Sequence, residues 1–358
     1  SKVGQVNIGS ANTFGAYSLE STFSQGAGYP YNGLGGTTLN DRVVSADLKP
    51  EITKGFEVGM EFSLLKSRIT GNINYYDQKT SNQTVPTGVS SATGYSSYLV
   101  NTGLTSGKGI EATLALNVVR NSNWDITLGA NYTHDKNIVE SISADLDRLT
   151  IGGYTSGVGS YAVAGQSFPV IMGYKHNRDD LGRIIVDPVT GYPSAQSTLS
   201  ILGNANPTDK LGLNASVKFK NFTLFGSAEY RTGNIIYNGL ASTFDFSGAG
   251  INTASYDRER FVIPNSSYLD AATGQYVANT NITVRDGGPG YWTIAGPRTG
   301  IHENYITSAA FWKLRELSLG YDIPSQLLSR SKVIKGARIS VQGRNLFVWV
   351  PNTNVYTD

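Results

Sequence analysis

Residues 107–137, GKGIEATLALNVVRNSNWDITLGANYTHDKN, alternate between apolar and polar side chains in two runs joined by a turn. From Ile110 every second residue is apolar: Ile110, Ala112, Leu114, Leu116 and Val118. Glu111, Thr113, Ala115 and Asn117 stand between them. The return run sets Ile126, Leu128, Ala130 and Tyr132 against Thr127, Gly129, Asn131 and Thr133. A period of two is that of a β-strand, whose successive side chains point to opposite faces. The stretch therefore predicts a hairpin with one oily and one wet face.

The pattern recurs along the chain. Phe56, Val58, Met60, Phe62 and Leu64 alternate with Glu57, Gly59, Glu61 and Ser63, and a second run follows a tight Lys66-Ser67 turn. Leu211, Leu213, Ala215, Val217 and Phe219 lead through Lys220-Asn221 into Phe222, Leu224, Ala228 and Tyr230. Asn is a common turn residue, which suits so short a link. Leu317, Leu319 and Tyr321, then Ala337, Ile339, Val341 and Phe347, extend the series, and residues 2–9 supply a further strand. These spans predict hairpins at 56–65 with 68–78, 109–119 with 124–136, and 210–219 with 222–232, within about nine strands in all. The link 324–336 is expected to hold one helical turn capped by Ser325.

Short turns at 65–68, 120–123 and 220–221 alternate with long connections at 77–107, 138–209 and 233–305. Loops beyond about 15 residues are uncommon in compact domains and tend to carry function. Strict alternation places every long loop at the same end of the sheet.

Which face is inside follows from the chemistry of the wet one. It carries Thr, Asn, Ser, Gly and Gln, and charged residues are only 16% of the chain, against roughly 25% in soluble domains. The apolar rows end in aromatics, as at Tyr75, Tyr132, Tyr230 and Tyr321. That combination predicts a transmembrane antiparallel β-barrel, with its oily face in lipid and its polar face on the lumen. Closure satisfies backbone hydrogen bonds that lipid cannot. Strands of about 9–11 residues suffice to cross. In a barrel, Leu114, Leu116, Leu128, Leu213 and Val217 are exposed once lipid is stripped. In the rival architecture, a soluble extracellular β-sandwich that binds glycans or mediates adhesion, they are buried under a second sheet.

From LKPEITKGFEVG at 48–59 onward the chain resembles the SusC/RagA family of TonB-dependent outer-membrane transporters of Bacteroidota. The likeness rests on Leu48-Lys49-Pro50-Glu51 with Thr53, Glu57 and Gly59; Tyr75-Tyr76-Asp77 with Thr80; and Asn101, Gly103, Lys108, Gly109 and Glu111. ILGNANP at 201–207, FWKLRELSLGYDIP at 311–324 and ARISVQGRNLFVW at 337–349 continue it in family order. The resemblance implies a segment, roughly strands 13 to 21, of a barrel of about 22 strands. Residues 1–358 are then part of one receptor barrel domain, with plug, TonB box and final strand expected elsewhere in a longer polypeptide. It implies active import of glycan fragments or oligopeptides across the cell outer membrane. A SusD-like surface lipoprotein and TonB are the implied partners, with long loops extracellular and short turns periplasmic.

No enzyme is expected, and no cofactor or metal. His134, His176 and His302 lie in or beside different long loops, and no HExxH, CxxC or GxSxG frame occurs. NRDDLG at 177–182 hints at a calcium loop, but Leu181 and Pro188 stand where oxygen ligands belong. RDGGPGYW at 285–292 is read as a loop tip. A net charge of +2 without a basic run argues against nucleic acid. Long-loop aromatics offer flat faces to sugars, peptides or a partner: Tyr95, Tyr98, Tyr174, Tyr237, Tyr291 and Trp292, with Tyr154, Tyr161 and Tyr192. Glu57, Glu61, Glu111, Glu229 and Arg338 are expected to face the lumen.

Overall fold

The structure is a computed structural model that describes residues 2–6, 23–101, 103–142, 146–155, 157–287, 290–295, 300–329, 333–334 and 336–356. Nine strands form one antiparallel sheet: β1 (Lys2–Val6), β2 (Glu51–Leu64), β3 (Ile69–Ser81), β4 (Leu104–Arg120), β5 (Trp124–Ser141), β6 (Asp209–Phe219), β7 (Phe222–Thr232), β8 (Phe311–Asp322) and β9 (Arg338–Trp349). Each strand pairs only with its neighbours in the chain. The three expected hairpins form in the expected register, with Met60 opposite Ile73, Leu114 opposite Ala130, and Leu213 opposite Ala228. Of the first expected strand, residues 7–9 lie outside the described residues.

Two expectations need correction. Strands β2 to β5 run 14, 13, 17 and 18 residues rather than about ten. The tight turns fix one end of each hairpin, so the whole excess projects at the long-loop end. The helical turn near 325 forms as Ser325–Leu328, but Pro324 occupies its cap position and no side chain caps it. Ser325 is thus the first helical residue, one place too late to cap.

Register carries the alternation across the whole sheet. One continuous row reads Met60, Ile73, Ala112, Tyr132, Leu211, Tyr230, Trp312 and Trp349. Eight or nine residues further down, Trp124, Phe219, Phe222 and Tyr321 form a second aromatic row at the short-turn end. Neighbouring rings touch, with centroids 4.3 Å apart for Trp124–Phe219, 4.6 Å for Phe222–Tyr321 and 4.8 Å for Tyr230–Trp312. Eight residues of strand span about 27 Å along the strand, or roughly 20 Å along the normal at the usual tilt. Between the two rows the face is aliphatic and open. Leu114 is 45% exposed, Leu213 40% and Val341 74%, and Leu116 and Val217 are half-buried. No second sheet covers this face among the described residues, which removes the sandwich alternative.

The buried apolar clusters lie instead in the long loops. Val139, Leu149 and Ala162 gather Ile142 and Phe168. Val186, Ile263 and Val284 gather Tyr192, Phe261, Tyr268 and Tyr291. A parallel bridge from Ile184–Ile185 to Ser266–Ser267 joins the connection 142–208 to the connection 233–310.

Candidate functional site

Several residues that carried the resemblance meet in space at the long-loop end of β2 to β5. Thr53 and Thr80 share a hydroxyl hydrogen bond of 2.8 Å across β2 and β3. Asp77 pairs with Lys108 at 2.8 Å. Tyr76 donates to Asp135 at 2.8 Å with its ring lying over Gly109, where a Cβ would stand 2.4 Å from the phenol oxygen. Glycine is required there because only a missing side chain lets the ring cross. Asn101 staples the following loop, accepting from the Lys49 N–H at 2.5 Å and donating to the Lys49 and Asn82 carbonyls at 2.8 and 2.7 Å.

Glu57, Glu61, Glu111, Glu229 and Arg338 all fall on the polar face of the sheet. Glu229 is the most engaged of them. It accepts from Arg231 on its own strand and from Arg315, a residue bulged out of β8, and Arg315 also reaches Asn345 at 3.3 Å. Arg338 lies 3.7 Å from Asp322. This face offers hydroxyls, amides and fixed charge.

The loop aromatics divide into three groups. Tyr98 belongs to a small sheet of 42–44, 84–88 and 97–101 built over the fully buried Leu99, and Tyr95 stands two residues before its last strand. Tyr174 stacks on His302 with centroids 5.7 Å apart, and Tyr237 meets the same ring edge-on at 5.8 Å. Tyr291 packs against Phe261 and Tyr192 and holds Trp292 edge-on at 5.0 Å. Burial, and then the nearby Tyr256 and Asp245, push the Tyr291 phenol up to about 12, so it stays protonated. Tyr291 and Tyr174 thus serve the packing of the loops, while Tyr95, Tyr98 and Trp292 remain half-buried.

A clamp joins the two largest loops. Glu303 accepts from Arg178 Nη2 at 2.8 Å and from the His176 N–H at 3.2 Å. His176 Nε2 lies 2.9 Å from Asn304 Oδ1, and the His302 and Tyr174 backbones exchange a 2.9 Å bond. Burial pushes the His176 imidazole pKa down, against the pull of Asn304 and Glu303, so the ring is neutral and donates to Asn304.

Beside the second loop cluster lies a cleft of about 590 Å³ lined by Tyr192, Arg258, Glu259, Arg260, Arg285 and Asp286. No carboxylate stands within ion-pair distance of the three guanidiniums among the described residues; Arg258 donates to the Gly248 carbonyl at 3.4 Å. Arg258 also borders a smaller cleft of about 270 Å³ walled by Phe246 and Trp292. Guanidiniums that no described carboxylate neutralises, set beside aromatic faces, suit a ligand with a carboxylate or sulfate next to a ring. Sequence reasoning passed over these arginines. Arg258 and Arg260 follow no motif, and Arg285 opens the stretch read as a loop tip. Gly288 and Pro289 of the 285–292 tip lie outside the described residues.

The NRDDLG stretch is a turn, with Asp179 accepting from the Leu181 and Arg183 N–H groups and pairing with the Arg183 guanidinium at 2.7 Å. Two further loop turns share the frame Asp-x-x-Thr-Gly. Asp187 Oδ1 accepts from the N–H groups of Val189 and Thr190 and from the Thr190 hydroxyl. Asp270 does the same for Ala272 and Thr273. Gly191 and Gly274 close them at φ of 68° and 65°, the left-handed region that glycine tolerates. The Thr190 N–H first, then its hydroxyl, hold the Asp187 pKa below the usual carboxylate range; the Thr273 hydroxyl leads at Asp270. A depressed folded pKa gives stability that is complete above the ordinary Asp value of about 3.9 and is lost as pH falls below it. Both turns are therefore expected to loosen on acidification below about pH 4. NMR shifts of the Thr190 and Thr273 amides check this, and Asp187→Asn is expected to abolish the pH response at Thr190 alone.

The profile of the family described as "TonB dependent receptor-like, beta-barrel" matches residues 6–346. TonB-dependent receptor P39 of Formosa agariphila is 24% identical, covering 92% of this chain and 35% of its own. TonB-dependent receptor SusC of Bacteroides thetaiotaomicron is 22% identical, with coverages of 96% and 33%. Among solved structures, the RagAB peptide transporter superposes with a TM-score of 0.67 at 16% identity, covering 94% of this chain and 35% of that one. The chain spans about a third of the length of the relatives it matches. These relatives are receptors and transporters, not enzymes.

Proposed function

The chain belongs to the TonB-dependent receptor-like β-barrel family, and from that membership we propose that it is part of the wall and rim of an outer-membrane importer of bulky nutrients, either glycan fragments or oligopeptides. The observation that carries this reading is the exposed aliphatic face between two aromatic rows. It fits a lipid contact, while the opposite face, with Glu57, Glu61, Glu111, Glu229 and Arg338, lines the lumen. The long loops stand at the cell surface, where a SusD-like lipoprotein caps them, and the short turns face the periplasm. TonB acts through a plug supplied elsewhere in the polypeptide. Tyr95, Tyr98, Tyr237 and Trp292 are the loop aromatics available to cargo or cap, with Tyr174 and Tyr291 holding the loops that present them. The arginine cleft receives an acidic group of the cargo.

Uptake of labelled oligosaccharides and oligopeptides by cells expressing the intact protein tests the proposal, with and without a proton uncoupler. Uptake that persists after uncoupling, or is equal in cells lacking the protein, sinks it. Retention of a surface lipoprotein in pull-downs tests the partner. Arg260→Gln with Arg285→Gln is expected to weaken uptake of acidic cargo about tenfold, at roughly 1.4 kcal/mol per decade, and to leave neutral cargo unchanged. Equal loss for both cargoes would move acid recognition away from the cleft.

A further inference from the structure

The four overlong strands carry a charge pattern on the apolar face, four to six residues beyond the upper row toward the long-loop end. Lys54 of β2 stands directly opposite Lys79 of β3, and Lys108 of β4 directly opposite Lys136 of β5. Asp77 lies opposite Lys108, and opposite Phe56 on its other side, which fixes all of them to the face of Phe56, Val58 and Tyr75. Like charges directly opposed across a ladder destabilise a sheet, yet two such pairs sit on adjacent hairpins. The internal compensation is incomplete. Lys108 pairs with Asp77 at 2.8 Å and Lys79 with Glu140 at 3.4 Å. Lys54 and Lys136 have no carboxylate within ion-pair distance among the described residues, and all four lysines are exposed. Four ammoniums against two carboxylates leave an excess of two positive charges. On β7, β8 and β9 the same face ends in Tyr230, Trp312 and Trp349, with no such cluster beyond them.

We propose that these four lysines are a docking site for phosphate groups of lipid headgroups in the outer leaflet. The inference rests on the reading above that the apolar face meets lipid and the long-loop end is outermost. Position and charge both point there. Phe56 lies two residues below Lys54, and Tyr75 two residues below the level of Lys108 and four below Lys79, so an acyl chain on the aliphatic belt brings its headgroup to the lysines. A compact, strongly hydrated ammonium suits a phosphate at a wet interface, and fixed cations near a membrane surface gain from each anionic headgroup they reach. The lipid phosphate then supplies the counter-charge that the sheet lacks, and the opposed lysine pairs become tolerable.

The test uses the intact protein in nanodiscs of zwitterionic phospholipid, with retained lipid read by native mass spectrometry. Three probes are added separately: a phosphorylated glycolipid, the same glycolipid after phosphatase treatment, and inorganic phosphate. Lys54→Gln with Lys136→Gln breaks no internal ion pair. It is expected to weaken binding of the phosphorylated lipid about 30-fold, from on the order of 1 kcal/mol per surface lysine. Lys210→Gln with Lys313→Gln, on the polar face, is expected to change nothing. Equal retention of the two glycolipids by the wild-type protein overturns the site without recourse to any variant. So does an unaffected double variant, and so does inorganic phosphate that competes as well as the lipid. The parent reading fails separately, if arginine on the apolar and polar faces proves equally costly.

Discussion

Leu114→Arg and Leu213→Arg are each expected to cost about 2–4 kcal/mol of folding free energy in a bilayer. The two leucines flank Ala130 from either side within the aliphatic belt, two residues below the upper aromatic row and six above the lower one. Thr113→Arg and Asn214→Arg, one residue away, place the same group on the polar face and are expected to cost far less. Urea titration of the protein folded into detergent-free vesicles reads both pairs. Equal penalties on the two faces would mean that the sheet has no lipid side.

Glu303→Ala is expected to open the clamp between the two largest loops while leaving the sheet intact. The carboxylate is mostly buried and receives both the Arg178 guanidinium and the His176 N–H. Removing it leaves the exposed Arg178 guanidinium with its bond to the Gly182 carbonyl alone and a backbone donor without an acceptor beside a neutral imidazole that already resists protonation. Hydrogen bonds to charged groups contribute about 1.5–3 kcal/mol, so amide exchange at 174–178 and 302–305 is expected to quicken roughly 10- to 100-fold. Exchange in β6 and β7 is expected to stay unchanged. Glu303→Gln, which keeps an acceptor oxygen, is expected to recover most of the protection. Uniform loss across sheet and loops would show that the clamp supports the wall rather than the loops.

The sheet was legible because its grammar is local. Alternation at 56–64, 110–118 and 211–219 states which residue faces which way, and a two- or four-residue turn then fixes the register without help from distant parts. The strand ends were less legible. Past Tyr132 the alternation dissolves into His134, Lys136 and Ile138, and nothing local says that backbone pairing continues to Ser141. The loops were least legible, because their contacts are remote in sequence. Tyr291 reads as a ligand-ready aromatic until Val186, Ile263 and Val284 are seen to surround it. Arg258 and Arg285 share a cleft only because the chain between them folds back. Asp245 shows the same limit: it is fully buried in the helix Gly239–Ser247, accepting from Tyr305 and Asn252 at 3.0 and 2.9 Å, yet no local signal separates it from an ordinary helix aspartate.

Neighbour-only pairing of the nine strands also bears on the order in which the molecule can be assembled. A wall in which each strand meets only its predecessor and successor can be laid down in chain order, its tight hairpins by contacts of short range that close quickly and the β5–β6 and β7–β8 pairs only once the long connections between them are bridged. The Arg178–Glu303 clamp joins residues 125 positions apart and straddles the β6–β7 hairpin. Its loop-closure entropy is large if it forms early and small once β6 and β7 have drawn the two ends together. The wall is therefore the template and the rim the last part to close. The chain then passes through a stage in which its strands are paired but its rim is still open, and that stage is when the rim is most accessible to the lipoprotein cap proposed above.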